Sequence, residues 1–336
     1  MSDIINYWLN YMALNDIELK NVREPRKIKP IIGNIDEYNQ YATSIINKMP
    51  NSNISLKTYH LVVADSATTL IDSIFQKEVD DETLVITTSF EHTAVNNNLQ
   101  KCKNVVKLNY YDDILNMNLK KIEQVITKYR KAFVYMIGTQ ISTGEVTSQA
   151  FFAKIKDLLN KNNVQSIFAI DDVHGMYIVP RDYSFFDYII GTAHALIRPY
   201  DMGILISRSD DIGIKAINWI KDYSQKLDII LSRKDKMQMF TMIMNSIFAD
   251  FLSINNFERI TDNISNIYAI RCNNMKFTQK MKDDLNKFEI RIEDSNNKNT
   301  IIRFRAQQFI TFPEFMIEGI KLVRQYMNDI KEVLYE

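Results

Sequence analysis

Phe168-Ala169-Ile170-Asp171-Asp172-Val173-His174-Gly175 is the stretch of sequence that decides the fold. Its apolar start is typical of a buried strand, and two aspartates and a histidine follow at once. A carboxylate fixed at a strand end can hold a pyridine nitrogen protonated, so that the ring draws electrons from a substrate. Asp171, Asp172 and His174 could equally bind a metal ion, or an aspartate could cap a helix. All three interpretations stay open at this point.

Short β-branched or aromatic runs alternate with helical patterns on both sides of this stretch. Such alternation predicts a doubly wound, mostly parallel sheet with helices on both faces and ligands at the carboxyl ends of the strands. The fold class is therefore α/β. The predicted strands are Tyr59–Ala64, Leu84–Ser89, Val105–Asn109, Ala132–Ile137, Ser166–Ile170, Tyr188–Ile190 and Gly203–Ser207.

The pattern changes near residue 209 and divides the chain. Residues 210 to 257 read as helical, and the strands Ile267–Arg271, Glu289–Ile292 and Thr300–Arg305 alternate with helices after them. We predict four segments in all. These are an N-terminal arm (1–30), a large cofactor-binding α/β domain (31–209), a helical connection (210–257) and a small C-terminal α+β domain (258–336).

Composition excludes several classes of partner. The chain has 336 residues, 46% of them hydrophobic, and its 41 basic and 41 acidic residues cancel. No net field attracts nucleic acid or an anionic membrane, and no stretch is long and apolar enough for a membrane span. The two cysteines, Cys102 and Cys272, cannot build a disulfide framework. We expect a cytoplasmic protein with neither kind of partner.

Polar residues follow the other predicted strands as well. Ser66-Ala67-Thr68 stands between a strand and a helix, where free backbone N–H groups and hydroxyls can hold a phosphate or serve only as a cap. Glu91-His92 follows the next strand, and this histidine could stack on a ring or only cap a helix. The stretch Thr192-Ala193-His194-Ala195 precedes Pro199 and a strand that begins with glycine.

The order and spacing of these four motifs resemble the class V aminotransferase and cysteine desulfurase family of fold type I pyridoxal-phosphate enzymes. The likeness runs from about residue 57 to 208 and returns in the tail. The Asp-Asp-x-His-Gly stretch is also similar to the α-oxoamine synthases. The resemblance implies pyridoxal 5'-phosphate as cofactor, with the phosphate held by Ser66, Ala67, Thr68, Thr192 and His194.

The resemblance also implies roles around the ring and the substrate. His92 matches the histidine that stacks on the pyridine ring, and Asp171 matches the partner of the ring nitrogen. His174 matches the residue near the phenolic oxygen. Arg303, in Ile302-Arg303-Phe304-Arg305, matches the arginine that binds the substrate carboxylate, for which a planar guanidinium is suited. Gln140 stands where the family commonly has an asparagine near the ring oxygen.

The main departure from the family is Ala195, which occupies the position of the Schiff-base lysine. Without that amine the chain cannot hold the cofactor covalently and lacks the usual proton shuttle at the substrate α-carbon. Two explanations fit. One is an engineered lysine-to-alanine change that traps a substrate–cofactor adduct. The other is a natural lysine-free relative that binds cofactor non-covalently, uses His194 as a base or serves as a scaffold.

We therefore predict a homodimeric pyridoxal-phosphate enzyme, a transferase or lyase, that acts on an amino acid or amine and is impaired by Ala195. The loop before Arg303 has no cysteine and Cys272 lies on a predicted strand, which argues against a cysteine desulfurase. The rivals are a non-catalytic binding module, which serves as a partner subunit or scaffold, and a metal-dependent hydrolase that uses Asp171, Asp172 and His174.

Overall fold

A computed structural model describes most of the chain as two compact units. The described residues are 29–89, 91–108, 115–192, 202–232, 234–254, 256–261, 265–294, 299–306 and 313–335. Of these residues, the large unit comprises 29–139 and Val146–Leu231, and the small unit comprises Gln140–Glu145 and those from Ser232 onward. The predicted helical connection over 210–257 is thus divided between the two units. The predicted arm lies outside the described residues except for its last two, 29 and 30.

A seven-stranded sheet forms the centre of the large unit, in the order β1-β7-β6-β5-β4-β2-β3. Only β7 is antiparallel to its neighbours, β1 and β6, so the other six strands share one direction. The carboxyl ends of those six strands therefore lie along one edge. The strands are β1 (His60–Ala64), β2 (Leu84–Thr88), β3 (Val105–Leu108), β4 (Lys131–Ile137), β5 (Gln165–Asp171), β6 (Tyr188–Thr192) and β7 (Gly203–Ser207).

Six helices accompany this sheet. They are α1 (Ile35–Asn47), α2 (Ala67–Glu78), α3 (Thr93–Leu99), α4 (Leu115–Ile126), α5 (Gln149–Lys161) and α6 (Ile217–Leu231). Helices α2 and α3 pack on one face, where their apolar side chains join the alternate strand residues Tyr135 and Ala169 in one buried cluster. On the opposite face, Phe152 of α5 contacts Phe185, and Phe185 contacts Phe168 of β5. Both faces of the sheet are covered, as the alternating pattern predicted.

The small unit contains a four-stranded antiparallel sheet in the order β10-β11-β9-β8. Its strands are β8 (Phe257–Arg259), β9 (Ile267–Cys272), β10 (Arg291–Asp294) and β11 (Thr300–Arg305). Its helices are α7 (Lys234–Ile247), α8 (Ala249–Leu252), α9 (Gln279–Asn286) and α10 (Pro313–Tyr335). The predicted fold class, a mostly parallel α/β sheet with a smaller C-terminal α+β part, is confirmed. Within the described ranges, no helix is both long enough and apolar enough to cross a membrane.

Candidate active site

The carboxyl edge of the large sheet collects the polar residues that the sequence singles out. Strand β1 leads into Ser66, β2 into His92, β5 ends at Asp171 and β6 ends at Thr192. Asp171 lies two residues after Ala169, so by strand alternation it faces the side on which α2 and α3 pack. Both helices begin at this edge because each follows a parallel strand. Asp171 therefore lies on the side of the sheet where these two helices begin.

Asp171 is a buried carboxyl, with 5% of its surface exposed. The Tyr135 hydroxyl donates to its Oδ2 at 3.2 Å, and the Val173 N–H donates to its Oδ1 at 3.3 Å. Burial raises the pKa of Asp171 to about 6, while the Val173 N–H and nearby His92 act in the opposite direction. At neutral pH the group is an anion in an environment that favours a cationic partner.

The side chain of Asp172 lies on the opposite face of the sheet. It is fully buried, and its Oδ2 accepts from Arg181 Nε at 3.2 Å and from the Tyr183 hydroxyl. The Arg181 guanidinium also donates to the carbonyls of Thr147 and Gly138, at 2.8 and 3.1 Å. Asp171 and Asp172 therefore do not form one ligand set. No group of acidic, histidine and cysteine residues in the described part of the chain could hold a metal ion, which weighs against the hydrolase interpretation.

His92 is the N-cap of α3 and is exposed. Its Nδ1 accepts from the Ala94 N–H at 3.2 Å, which leaves Nε2 as the position that carries the proton of the neutral ring. The charge of its imidazolium form acts on Asp171, so the two groups are near enough to interact. Both interpretations of this histidine, a cap and a ring neighbour, are compatible with this position.

Glu91 is a site residue to which sequence reasoning assigned no role. Its Oε1 accepts from the Thr88 hydroxyl at 2.5 Å and from the N–H groups of Thr88 and Ile137, both at 3.3 Å. The residue is 6% exposed, and burial raises its pKa to about 8, with the Thr88 hydroxyl opposing and the charge of Asp171 adding to the rise. A glutamate three residues after the end of an apolar strand was the available signal.

The turn after β1 has the features expected of a helix N-terminus. Ser66 caps α2, and its Oγ accepts from the Thr69 N–H at 3.2 Å. The N–H groups of Ala67 and Thr68 have no acceptor within the helix, as at any helix start. Gly203 packs against this turn, since a Cβ at that position would lie 2.5 Å from the Ala67 nitrogen. An anion would approach backbone donors here.

Two further predicted site residues, Thr192 and His174, are described in the structure. Thr192 is buried, and its hydroxyl donates to the Met202 carbonyl at 2.7 Å across the β6–β7 ladder end. His174 is half-buried, three residues after Asp171. His194 and Ala195 lie outside the described residues. The structure thus brings Asp171 and His92 together and leaves the predicted lysine position undescribed.

Arg303 and Gln140 belong to the small unit. Arg303 lies on β11 and is buried, and its Nη1 donates to the Ile141 carbonyl at 3.0 Å and lies 3.5 Å from Glu293 Oε1. Gln140 is buried at the start of a tight turn in which its N–H donates to the Glu145 carbonyl and its Oε1 accepts from the Ser142 N–H.

Cys272 ends β9 in the core of the small unit and is fully buried. Burial raises the pKa of its thiol to about 12, which suppresses the thiolate. A buried neutral thiol is a poor nucleophile, in keeping with the expectation that Cys272 is not a desulfurase cysteine.

Comparison with solved structures identifies the architecture. A NifS-like protein from Rickettsia africae ESF-5 superposes with a TM-score of 0.64 over 99% of this chain and 96% of that chain, at 12% sequence identity. The chain has the aminotransferase-like fold. The serine palmitoyltransferase of Sphingomonas wittichii matches with a TM-score of 0.63 over 97% of this chain and 84% of that chain, at 10% identity.

A third match with the same fold is a serine palmitoyltransferase from S. paucimobilis with a bound PLP–myriocin aldimine (TM-score 0.59, 10% identity, 95% of this chain and 84% of that chain). No protein-family model matches the sequence, and no curated protein matches it. The resemblance that four short motifs indicated is confirmed at the level of the aminotransferase-like fold.

Proposed function

We propose that this chain binds pyridoxal 5'-phosphate and acts on an amino acid or amine, as a transferase or lyase. The observation that carries the proposal is the buried carboxylate of Asp171 at the end of a central parallel strand, with His92 near enough to interact. Ligands of doubly wound sheets bind at this edge. The aminotransferase-like fold supports the proposal, although one fold hosts many chemistries.

The residues present fit the ring of this cofactor. Its pyridine ring, when bound, withdraws electrons from a breaking bond at the substrate α-carbon. Asp171 would hold the proton on the ring nitrogen, because a buried carboxylate pairs strongly with a cation that shares its low-dielectric surroundings. Tyr135 orients that carboxylate through its hydroxyl. His92 would cover one face of the ring and keep water from it, and His174 would lie near the phenolic oxygen.

The phosphate would be held at the start of α2. The N–H groups of Ala67 and Thr68 and the dipole of a twelve-residue helix favour an anion there. Ser66 contributes its hydroxyl, and Thr192 and His194 are the further ligands that the resemblance supplies. Asp65 opposes this arrangement, since its exposed carboxylate accepts from the Thr69 hydroxyl at 2.7 Å beside the same turn. We therefore propose a moderate rather than a very high affinity for the phosphate.

Arg303 is the proposed site for the substrate carboxylate. A guanidinium on a strand is a rigid, planar donor that can pair with a carboxylate through two bonds. Glu293 lies 3.5 Å from the Nη1 of Arg303, so an incoming carboxylate would compete with an exposed internal one. Gln140 is proposed as a second polar contact, near the ring oxygen. A homodimer in the cytoplasm and the four-segment domain layout remain predictions.

Ala195 favours a second candidate function, a lysine-free protein that binds the cofactor non-covalently as a partner subunit or scaffold. An alanine cannot form the covalent link or move a proton at the substrate α-carbon. Either origin of Ala195, engineered or natural, leaves the carboxylate of Asp171 and the turn at Ser66 available for binding. The two functions therefore share a binding site and differ in turnover.

An absorbance titration with pyridoxal phosphate separates these functions. We expect saturable binding by the chain itself, and by Ala195→Lys a yellow complex that survives dialysis and shifts its band with one class of amino acid. Asp171→Asn should weaken binding in both backgrounds. Asp187→Asn is the matched control, because Asp187 is a half-buried aspartate of the same unit whose partners are the Phe168 N–H and Arg208. If the complex forms but Ala195→Lys turns over no substrate, the scaffold function is correct. If neither chain binds, both proposals fail.

A further inference from the structure

We propose that Glu91 is a positioning residue of the candidate site. Its side chain joins the ends of β2 and β4, and this connection fixes His92 and Asp171 relative to each other. The positioning is a property of the chain itself. Its consequence for cofactor binding rests on the proposed function.

The geometry of the two strands carries the first step. The β2–β4 ladder pairs Leu84 with Ala132 and ends at Ile86↔Val134, although β2 continues to Thr88 and β4 to Ile137. Beyond Ile86 and Val134 the residues of these two strands are no longer paired with each other. Glu91 Oε1 accepts from both Thr88 N and Ile137 N at 3.3 Å. One carboxyl oxygen thus replaces the missing rungs of the ladder.

The second step follows from what each strand positions. Residue 92 follows Glu91 directly, so His92 begins α3 from a backbone that is held to β2. On the other side, Ile137 is paired with Asp171 in the β4–β5 ladder, and the Gly138 N–H donates to the Asp171 carbonyl at 2.7 Å. Asn96 Nδ2 donates to the Glu91 carbonyl at 2.8 Å and ties the first turns of α3 to the same point. Glu91 is thus the connection between the two ring-facing residues.

The charge state of Glu91 is the third step. The charge of Asp171 on β5 acts on Glu91, and His92 on α3 acts on Asp171. Burial and these two carboxyls raise the pKa of the Tyr135 hydroxyl on β4. Glu91 Oε2 is buried and accepts no hydrogen bond within the described residues. A buried oxygen without a donor is tolerable on a neutral acid and costly on an anion. Glu91 therefore carries a proton at neutral pH, and Asp171 carries the negative charge.

The test compares Glu91→Gln with Glu91→Ala in the full chain. Glutamine keeps a neutral carbonyl oxygen for the three donors, whereas alanine removes that acceptor, a loss of about tenfold to hundredfold in a linked equilibrium. We expect Glu91→Gln to retain the parental NMR chemical shifts of the His92 imidazole, recorded at one fixed pH without cofactor. We expect Glu91→Ala to change those chemical shifts and to weaken pyridoxal phosphate binding by about tenfold or more.

Two further variants keep the test decisive. Thr88→Val removes the 2.5 Å hydrogen bond to Glu91 without changing side-chain shape. It should change the His92 chemical shifts in the same direction by less, even if Glu91→Ala does not fold. Glu78→Ala is the matched control, since Glu78 is similarly buried but pairs with Tyr188 and Lys131. It should lower stability and leave the His92 chemical shifts unchanged.

The outcomes separate the two proposals. If Glu91→Ala loses stability but keeps both the His92 chemical shifts and the cofactor affinity, Glu91 is only a core residue and the inference is overturned. If Glu91→Gln is as damaging as Glu91→Ala, the neutral state of Glu91 is overturned. If neither the parent chain nor any variant binds pyridoxal phosphate, the proposed function fails, while the His92 chemical shifts still decide the positioning role.

Discussion

Glu91 should make the folded protein less stable as the pH rises, and Glu91→Gln should remove this dependence. Burial raises the pKa of this carboxyl from 4.5 to about 8. Between these two values the folded state keeps a proton that the unfolded state has released. The free energy of unfolding therefore falls with rising pH, from full stability below pH 4.5 to the lowest value above pH 8.

The size of the effect follows from the linkage. Each pH unit within this window changes the free energy of unfolding by about 1.4 kcal/mol. The pKa of Asp171 is raised from 3.8 to about 6, so its own contribution to the loss of folding stability with rising pH falls below pH 6. Between pH 6 and 7.5, Glu91 alone should thus cost about 2 kcal/mol, a large part of the roughly 5–15 kcal/mol by which domains are stable.

Trp219 supplies the signal for this measurement. It lies on α6, in the same unit as Glu91, and is 8% exposed. The other tryptophan of the chain is Trp8. In a Trp8→Phe background, urea unfolding followed by tryptophan fluorescence reports the large unit. The parent chain should lose about 2 kcal/mol more than Glu91→Gln between pH 6 and 7.5. Glu78→Gln should keep the parental slope. Equal slopes for the parent chain and Glu91→Gln would show that Glu91 is ionised when folded and would refute the reasoning.

Three further changes test other contacts. Binding of pyridoxal phosphate should weaken as the pH falls through about 6, because Asp171 becomes neutral, and Asp171→Asn should bind weakly at every pH; absorbance titrations at pH 5 and 8 measure this. Arg181→Met should destabilise the large unit by about 3–5 kcal/mol by leaving Asp172 charged and unpaired, which urea unfolding detects; an unchanged midpoint would contradict this. Gly203→Ala should weaken phosphate binding, since its Cβ would meet the Ala67 nitrogen at 2.5 Å, and inorganic phosphate competition measures the loss.

The sequence was sufficient to predict the large sheet because its strands are short apolar runs, and an α-helix follows five of the seven, β1, β2, β3, β4 and β7. It was less informative in the tail. The strand predicted at Glu289–Ile292 lies at Arg291–Asp294, because Glu289 has φ of 56° and ends the preceding helix in a left-handed conformation. Strand β8, Phe257–Arg259, was not predicted, since three residues are too few for a period of two to be read.

The position of a candidate residue was predictable where a motif ends a strand, as for Asp171 at the end of β5, while its role stays a prediction. Strand alternation predicts that Asp171 and Asp172 point to opposite faces of the sheet. It does not predict which residue pairs with Asp172. Arg181 lies nine residues further along, and only the tertiary structure brings it to the carboxylate. Glu91 was overlooked for the same reason, because its acceptor role depends on where β2 and β4 diverge, which no local pattern records.

The two neighbouring aspartates are subject to different selection. Asp172 is needed by any descendant that keeps the fold, since its charge holds Arg181 and Tyr183 in the interior. Under the proposed function, Asp171 is needed only while a cationic ring has to be held. In relatives with alanine at position 195, retention of both aspartates would indicate a site still in use. Drift at Asp171 beside an unchanged Asp172 would mark a lineage that kept the framework and abandoned the chemistry.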